Sequence, residues 1–321
     1  MASEPTTLTE AVVYFQDTDN CLNYLAARRW PNGVAVCPTC GSKNVGFIAS
    51  RRMWQCKTRH PKAQFSVKLG TIFEDSPLGL DKWLPAMWMI ASNRNGISSW
   101  ELHRALGVTQ KTAWFMLHRI RLAMQDELTG GSLSGDVEID ETFIGGKVRN
   151  MHKERKFRVQ KEGRHEGGKS IVMGMLERGK AVRATVIPDR TKNTMKPIVL
   201  ANVERGSQVF TDEWQAQWGI DRHYTHNVIN HLEAYARGNV HTNGIENFWS
   251  LLKRGIHGTY VSVEPFHLFR YVDEQAFRFN NRLPMNDADR FSYLVRKVVG
   301  KRLTYAELTG KTGAPTPDEP F

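Results

Sequence analysis

The sequence predicts an α/β fold, α+β over the whole chain, in which a mixed sheet with flanking helices follows smaller N-terminal modules. Three observations support this prediction. Strand-like apolar runs separated by turns fill residues 135–260, helical periodicity fills residues 78–127, and closely spaced cysteines occupy a turn-rich stretch before them. Strands in succession, followed by alternating strands and helices, are typical of a mixed sheet with helices packed on it.

We expect four segments along the chain. They are an N-terminal arm with the cysteine module (residues 1–75), a helical module (76–128), the sheet domain (129–290) and a C-terminal extension (291–321). The extension is expected to be partly disordered, because its last residues are rich in Gly, Thr and Pro and poor in apolar side chains.

The charge balance favours a polyanionic partner. Lys and Arg number 44 against 33 Asp and Glu, which gives a formal net charge of +11 and a pI of about 9.5. Such a basic chain is typical of nucleic-acid-binding proteins. No apolar run is long enough to cross a bilayer, and the first residues lack the pattern of a secretory signal. We therefore expect a cytoplasmic protein that binds nucleic acid and no membrane.

Four side chains have the spacing of a metal site. Cys37 and Cys40 form a CxxC knuckle, from which two thiolates can reach one ion. Cys56 follows at a distance suited to a second hairpin, and His60 can supply an imidazole nitrogen as the fourth ligand. Cys21 is the alternative fourth ligand, although its helical surroundings favour a buried thiol. In a chain without an export signal, the sequence predicts a closed structural Zn²⁺ site of the zinc-ribbon type.

Two short helices separated by a glycine follow the cysteine module. Ser98 and Glu101 form a predicted capping box, Gly107 ends the first helix and Thr109 caps the second. This layout is that of a helix-turn-helix, with a helical hairpin inside a core as the alternative. The second helix is expected to bury Ala113, Leu117, Ile120 and Met124. It is expected to present outward the polar side chains that contact DNA, namely Gln110, Lys111, Thr112, His118, Arg119 and Arg121.

Two acidic residues close apolar strands of the sheet domain. Asp140 ends the run VEID, and Asp212 ends the run SQVFTD. A single acid at the end of an apolar strand lies in a turn or caps a helix as often as it belongs to a functional site. Two acids flanking the same sheet favour a functional site.

The run HTNGIENFWSLLKRG predicts an amphipathic helix that supplies further polar groups. Its apolar face comprises Ile245, Phe248, Trp249 and Leu252, and its polar face comprises Asn243, Glu246, Ser250 and Lys253. A solvated helix face is the alternative. Set beside the two aspartates, Glu246 has the chemistry of a third metal-binding carboxylate and Lys253 that of a phosphate-binding group. Three acids can hold two Mg²⁺ (or Mn²⁺) ions for phosphodiester chemistry.

Several of these motifs resemble those of a known family. VEIDETFIGG, VFTDEW and HTNGIENFWSLLKRG are similar to the three catalytic motifs of bacterial insertion-sequence transposases of the DDE superfamily. CPTCGS and QFSVKLGTIFEDSPLGLDKW resemble the N-terminal part of the ISXO-type group, which carries a zinc ribbon. The likeness runs from Cys37 to Asn281. It implies a ribonuclease-H-like catalytic core in the sheet domain.

The resemblance also implies roles for individual residues. It implies that Asp140, Asp212 and Glu246 are the catalytic acids and that Lys253 is the basic residue of the third motif. Some members carry Asn at the third catalytic position, so Asn243 is an alternative or helper to Glu246. Relatives often show a second CxxC where this chain has a single cysteine and a histidine.

The activity implied by the resemblance is DNA transposition. A bacterial, nucleoid-associated enzyme of this kind binds the terminal inverted repeats of its element as double-stranded DNA. It then catalyses metal-dependent strand cleavage and strand transfer, as a homodimer or higher oligomer. Two alternatives stay open, a non-catalytic DNA-binding protein derived from a transposase and another ribonuclease-H-like nuclease. The full set of acids favours the transposase, because a protein that only binds DNA has no need of it.

Overall fold

The structure, a computed structural model, divides the chain into two units. The first comprises residues 1–125 and 281–314, and the second is built mainly of residues 126–280. The residues described are 3–125, 131–146, 153–154, 157, 169–212, 219–229 and 241–311.

The N-terminal part of the first unit combines capped helices with a small sheet. Its elements are α1 (Leu8–Tyr14), α2 (Thr18–Arg29), β1 (Val45–Ile48), β2 (Met53–Cys56), β3 (Gln64–Phe65), α3 (Leu80–Ser92), α4 (Ser99–Leu106) and α5 (Gln110–Met124). Thr7 closes a capping box with Glu10 at the start of α1, and the Asp17 carboxylate caps α2. The three strands pair antiparallel in the order β1–β2–β3.

The local geometry predicted for the α4–α5 pair is confirmed. Ser98 and Glu101 make both hydrogen bonds of the capping box. Gly107 ends α4 in the left-handed region at φ +65°, a conformation that favours glycine. The Thr109 hydroxyl then accepts the Thr112 N–H and caps α5. The side chains predicted to face inward from α5 are all buried, namely Ala113, Leu117, Ile120 and Met124.

Helix α5 is buried over a wider arc than the sequence predicts. His118, Arg119 and Arg121 were expected to point outward, and this is wrong, because they are only 0%, 4% and 1% exposed. The Arg119 guanidinium donates hydrogen bonds to three backbone carbonyls, those of Ile72, Glu74 and Leu303. Periodicity shows one apolar stripe on a helix, but it does not show that the C-terminal part of the chain covers a second side.

The second unit is a five-stranded mixed sheet with helices. Its elements are β4 (Asp136–Ile144), β5 (Ser170–Glu177), β6 (Val182–Ile187), α6 (Lys192–Asn202), β7 (Gln208–Asp212), β8 (Thr225–Ile229), α7 (Asn243–Arg254) and α8 (Leu268–Asn280). The strand order is β6–β5–β4–β7–β8. Strands β4, β5 and β6 pair antiparallel, whereas β7 pairs parallel with both β4 and β8. The predicted mixed sheet is therefore confirmed.

The two faces of this sheet are covered by different helices. On one face, Val137 and Ile139 of β4 pack in a core with Met195 and Val199 of α6. On the other face, strand residues such as Val172 pack against α7 and α8. The predicted apolar side of α7 is buried there, namely Ile245, Phe248, Trp249 and Leu252. Because side chains alternate along a strand, the even-numbered residues of β4 face α7.

The C-terminal part of the chain returns to the first unit. It forms α9 (Asp287–Arg296) and α10 (Tyr305–Leu308). Phe291 of α9 is fully buried, and its ring centroid lies 5.7 Å from that of Phe15 and 4.8 Å from that of Trp88. The structure thus differs from the predicted boundary at residue 291, because α9 completes an aromatic core begun by the first helices. Residues 312–321 of the predicted disordered tail lie outside the described residues.

The helices of the described segments are short. Helix α5, with 15 residues, is the longest of them. Within these segments, no helix combines the length and the apolar character needed to cross a membrane.

Candidate active site and candidate zinc centre

Three cysteines and a histidine converge beside the small sheet. The knuckle is closed by backbone hydrogen bonds at Cys37, which donates to the Ser42 carbonyl and accepts from the Gly41 N–H. Cys37 Sγ lies 3.5 Å from His60 Nε2, and the Sγ atoms of the other two cysteines, Cys40 and Cys56, lie 3.6 Å apart. Ligand atoms around a tetrahedral Zn²⁺, with Zn–S of about 2.3 Å, are about 3.5–3.8 Å apart. The four donors therefore fit a closed zinc site.

The surroundings of the cluster prepare its ligands for a metal. The Nδ1 atom of His60 is hydrogen-bonded to the Pro61 carbonyl at 2.7 Å, which leaves Nε2 for the cluster. Burial opposes ionisation of Cys56, but hydrogen bonds from His60, from the backbone and side chain of Thr58 and from Cys40 lower its pKa to about 6. The alternative ligand Cys21 lies outside the cluster, where its thiol donates to the Phe15 carbonyl and burial raises its pKa to about 12.

Strand register brings the two predicted aspartates to the same level of the large sheet. In the parallel pair β4–β7, Asp136 is opposite Gln208 and Glu138 is opposite Phe210. Two residues further along each strand are Asp140 and Asp212. The pairing ends at Glu138 and Phe210, so both aspartates lie just beyond it, at the same end of the two parallel strands. The side chain of Asp212 lies outside the described part of the structure.

A hydrogen-bonded chain fixes the end of β7 beside β8. Thr211 Oγ1 and His226 Nε2 share a hydrogen bond of 2.7 Å, and His226 Nδ1 lies 2.9 Å from Asp221 Oδ1. Thr211 immediately precedes Asp212, so these hydrogen bonds fix the backbone next to Asp212.

The Asp140 side chain is held by the helix above it. The indole Nε1–H of Trp249 donates to Asp140 Oδ2 at 2.9 Å. Gly174 is opposite Asp140 on β5, and a Cβ there would come within 2.7 Å of the Trp249 ring. Glycine at this position therefore allows the indole to lie on the sheet and reach the carboxylate.

The electrostatic environment of Asp140 is unfavourable to its charge. Burial, followed by the negative charge of neighbouring Glu141, raises its pKa from the ordinary 3.8 to about 6. The Trp249 hydrogen bond acts in the opposite direction, and the charge of Glu246 raises the pKa further. A half-buried carboxylate whose negative charge is disfavoured, with other acids nearby, has the chemistry of a divalent-cation ligand.

The polar side of α7 carries the other predicted catalytic residues. Asn243 is the first residue of the helix, Glu246 lies in its first turn and Lys253 in its last, and all three are exposed. Glu246 Oε1 accepts a hydrogen bond from the Thr242 hydroxyl at 3.1 Å. Helix α7 thus carries Glu246 near its start and leaves Lys253 accessible at its opposite end.

A buried carboxylate beneath α7 was not predicted as a site residue. Glu138 is fully buried on β4, where it accepts hydrogen bonds from Arg178 Nε and from the backbone N–H of Ile245, both at 2.8 Å. The only sequence signal is its place in VEID, where an acid occupies an inner strand position on the same side as Asp140.

The predicted DNA-contacting residues at the start of α5 differ in accessibility. Lys111 is exposed, and its Nζ lies 4.8 Å from the ring centroid of Tyr305. Gln110 and Thr112 are partly buried, and Gln110 donates to the Ser99 hydroxyl at 2.8 Å. The first turn of α5 therefore presents polar groups at the surface, whereas its later basic residues are buried.

Comparison with known proteins identifies both parts of the chain. Residues 132–280 match the ISXO2-like transposase domain, and residues 16–58 match the transposase zinc-ribbon domain. An uncharacterized protein in transposable element ISH50 of Halobacterium salinarum is 28% identical over 245 residues, covering 72% of this chain and 81% of the relative. An uncharacterized transposase-like protein of Haemophilus influenzae is 32% identical over 101 residues, covering 31% of this chain and 81% of the relative. No solved structure matches.

These matches agree with the cysteine–histidine cluster and with the mixed sheet described above. The zinc-ribbon match contains the three clustered cysteines. Together with His60, these cysteines form a cluster that supports a structural zinc ion. The domain match spans the mixed sheet and α7, in an arrangement consistent with the ribonuclease-H-like transposase fold. The chain belongs to the family of ISXO2-like insertion-sequence transposases.

Proposed function

We propose that the protein is an active DNA transposase that cleaves and rejoins DNA strands at the ends of its own element. The observation that supports this proposal is the register of two adjacent parallel strands that carry acidic residues. Asp140 and Asp212 each follow the last β4–β7 pair by two residues, and α7, which carries Glu246, packs over β4. This is the set that a phosphodiester-cleaving site requires.

The donor set fits hard divalent cations. Asp140, Asp212 and Glu246 would hold two Mg²⁺ or Mn²⁺ ions through carboxylate oxygens. Ions of this kind activate the attacking oxygen and stabilise charge on the phosphoryl group and the leaving oxygen. The raised pKa of Asp140, caused first by burial and then by neighbouring acids, supports the proposal, since a bound cation stabilises the charged form of a buried carboxylate.

Glu246 is the preferred third acid, with Asn243 as alternative or helper. Its charge acts on Asp140, which supports a place close to that carboxylate. A carboxylate also neutralises the charge of a cation, whereas the amide oxygen of Asn243 cannot. Lys253 is proposed to hold a DNA phosphate, because it is an exposed cation on the same helix.

DNA recognition is proposed for the first unit. The basic composition supports binding to phosphates, and the exposed first turn of α5 with Gln110, Lys111 and Thr112 supports contact with base edges or backbone. Arg119 and Arg121 are not included, because they are buried. We also propose a homodimer or higher oligomer on DNA, since two element ends must be processed together.

The experiment that tests the function is Mg²⁺-dependent cleavage of a labelled element end. Asp140→Ala, Asp212→Ala and Glu246→Gln should each lose about a thousandfold or more in rate, because each removes a ligand of the cation site. Asn243→Ala should retain more activity than Glu246→Gln. Each variant is first shown to fold and to bind DNA.

Two outcomes would overturn parts of the proposal. Full activity in Asp140→Ala would remove the enzymatic function and favour a protein that only binds DNA. Full activity in Glu246→Gln, together with loss of activity in Asn243→Ala, would show that Asn243 rather than Glu246 is the third metal ligand.

A further inference from the structure

We propose that Glu138 is a positioning residue of the active site. Its buried carboxylate caps helix α7 from the strand below and thereby fixes Glu246 relative to Asp140. The link to catalysis rests on the proposed function, whereas the contact itself can be tested without any activity.

The start of α7 depends on a cap from outside the helix. Thr242, at the N-cap position, accepts no hydrogen bond from a backbone N–H of the first turn, because its hydroxyl donates to the Glu246 side chain instead. The N–H of Ile245 is one of the groups that a helix leaves without an internal partner. Glu138 Oε2 accepts this N–H at 2.8 Å, across 107 residues of sequence. A carboxylate at a helix N-terminus also interacts favourably with the helix dipole.

The charge of Glu138 is compensated from a second direction. Its side chain is 1% exposed, so it needs a partner in order to remain charged. Arg178 Nε donates to Glu138 Oε1 at 2.8 Å, and the same guanidinium donates to the carbonyl of His241, just before α7. His241 Nδ1 lies 3.4 Å from Glu138 Oε1. Arg178 and Glu138 therefore hold both the segment before the helix and its first turn.

Helix α7 is thus attached to β4 at two points. Glu138 accepts from Ile245, and Asp140, two residues further along the strand, accepts from Trp249, one helical turn further along α7. Glu246 lies in the turn between these two attachments. Two attachments fix both the rotation of a helix about its axis and its distance from the sheet. Losing the hydrogen bond from Ile245 to Glu138 would therefore let Glu246 move relative to Asp140.

The close approach of the helix to the carboxylate is visible at Gly244. A Cβ at this position would lie 2.9 Å from Glu138 Oε2 and 3.0 Å from a methyl carbon of Leu176. Any side chain here would have to displace either the carboxylate or the helix. Gly244→Ala, which favours helix formation in general, should therefore weaken this helix start.

The first test measures hydrogen exchange of individual backbone amides by NMR in the zinc-loaded protein without Mg²⁺ or Mn²⁺. Glu138→Ala should lower the protection of the Ile245 amide by about tenfold or more, because a hydrogen bond to a charged acceptor is lost. Gly244→Ala should show the same local loss, and Glu138→Gln should lie between these variants and the wild type. Amides of β5 and β6 should keep their protection. The matched control is Glu177→Gln, a buried carboxylate of the same sheet whose described partners are Lys180 and Ser134.

The second test measures cleavage of a labelled element end at several Mg²⁺ concentrations. Glu138→Gln should lower kcat by about tenfold and raise the Mg²⁺ concentration needed for half-maximal rate, with KM for DNA unchanged, because a misplaced Glu246 is a poorer ligand. Glu177→Gln should leave both values at the wild-type level.

Three results would overturn the proposal. The first is unchanged Ile245 protection in both Glu138→Gln and Gly244→Ala. The second is a loss of protection spread evenly over the sheet, which would indicate a purely structural role. The third is an equal effect of Glu177→Gln. If Glu138→Ala fails to fold, the Gln variant and Gly244→Ala decide the question. If the wild type does not cleave DNA, the proposed function fails while the Ile245 measurement still decides the role of Glu138.

Discussion

The zinc cluster of the first unit and the carboxylate cluster of the second are built on opposite principles. The cysteines and His60 lie within one short segment, and their donor atoms are all within 4.8 Å of one another. The proposed catalytic carboxylates come from separate strands and a helix, and burial, followed by the charges of neighbouring acids, raises the pKa of Asp140. A structural metal site can thus be organised by two local turns, whereas a reactive site needs a rigid frame that holds unfavourable charges together.

The largest expected effect comes from removing the zinc ligands. Purified protein should contain about one zinc per chain, and chelation or Cys56→Ala should unfold the β1–β3 region, because metal binding supplies much of its folding free energy. Metal analysis and NMR of the β1–β3 amides measure this. Cys21→Ala is the matched control and should retain the metal. A protein purified without chelators that contains no zinc would contradict the assignment.

Substitution in the carboxylate site should stabilise the fold, whereas substitution of a zinc ligand should destabilise it. The folded-state pKa of Asp140, about 6, lies above its ordinary value of 3.8, so the folded protein binds this proton more tightly and loses stability as pH rises from about 4 through 6. Asp140→Asn removes the buried charge. It should raise the free energy of unfolding of the zinc-loaded protein without Mg²⁺ by about 3 kcal/mol at pH 8, the energy equivalent of the difference between pKa 3.8 and about 6.

The same substitution should have little effect at pH 4, where Asp140 is protonated in the folded state. Urea unfolding at the two pH values measures the difference. A destabilised Asp140→Asn at pH 8 would show that the hydrogen bond and packing of the carboxylate outweigh the cost of burying its charge.

The zinc cluster and the helix that carries Glu246 could be predicted from the sequence, for a physical reason. The zinc ligands follow a local spacing, and the buried face of α7 follows the helical period, so each pattern is visible within a short window. The apolar run before Asp140 likewise indicates a strand, but the predicted strand end at Asp140 is wrong, because β4 continues to Ile144 in its pairing with β5. These features depend on neighbours in sequence, which the sequence itself displays.

The features that sequence reasoning missed depend on distant partners. Glu138 acquires its role from an amide 107 residues away. Helical periodicity predicts an outward Arg119, but its guanidinium is buried and donates to the carbonyl of Leu303, 184 residues further along the chain. Phe291 was assigned to a separate extension, although its ring packs against Phe15 and Trp88. No local period indicates such contacts.

Smaller effects separate the contributions of α7 to the carboxylate site. Trp249→Phe keeps the aromatic packing but removes the N–H that Asp140 accepts. We expect the cleavage rate to fall by about tenfold, a milder loss than in Asp140→Ala, because the carboxylate is still present but less well oriented. Single-turnover cleavage measures this effect. Phe248→Leu, a packing change on the same helix, is the control, and an equal loss in that variant would assign the effect to packing.

The smallest expected effect concerns DNA binding by the first unit. Lys111→Ala should weaken binding to all DNA by a few-fold and reduce the slope of log affinity against log salt by about one, as expected for one lost phosphate contact. Arg119→Ala should instead lower stability, because it removes a buried side chain that donates to three carbonyls. Binding titrations at several salt concentrations, with thermal unfolding, distinguish the two. An unchanged salt slope in Lys111→Ala would remove it from the DNA-binding surface.

The central claim is that the carboxylates of the second unit hold divalent cations. Isothermal titration calorimetry of the zinc-loaded protein with Mn²⁺ tests it most directly, with Asp140→Asn as the comparison. We predict that the wild type binds Mn²⁺ and that Asp140→Asn, although more stable without metal, loses this binding. Equal Mn²⁺ binding by the two proteins would contradict the account.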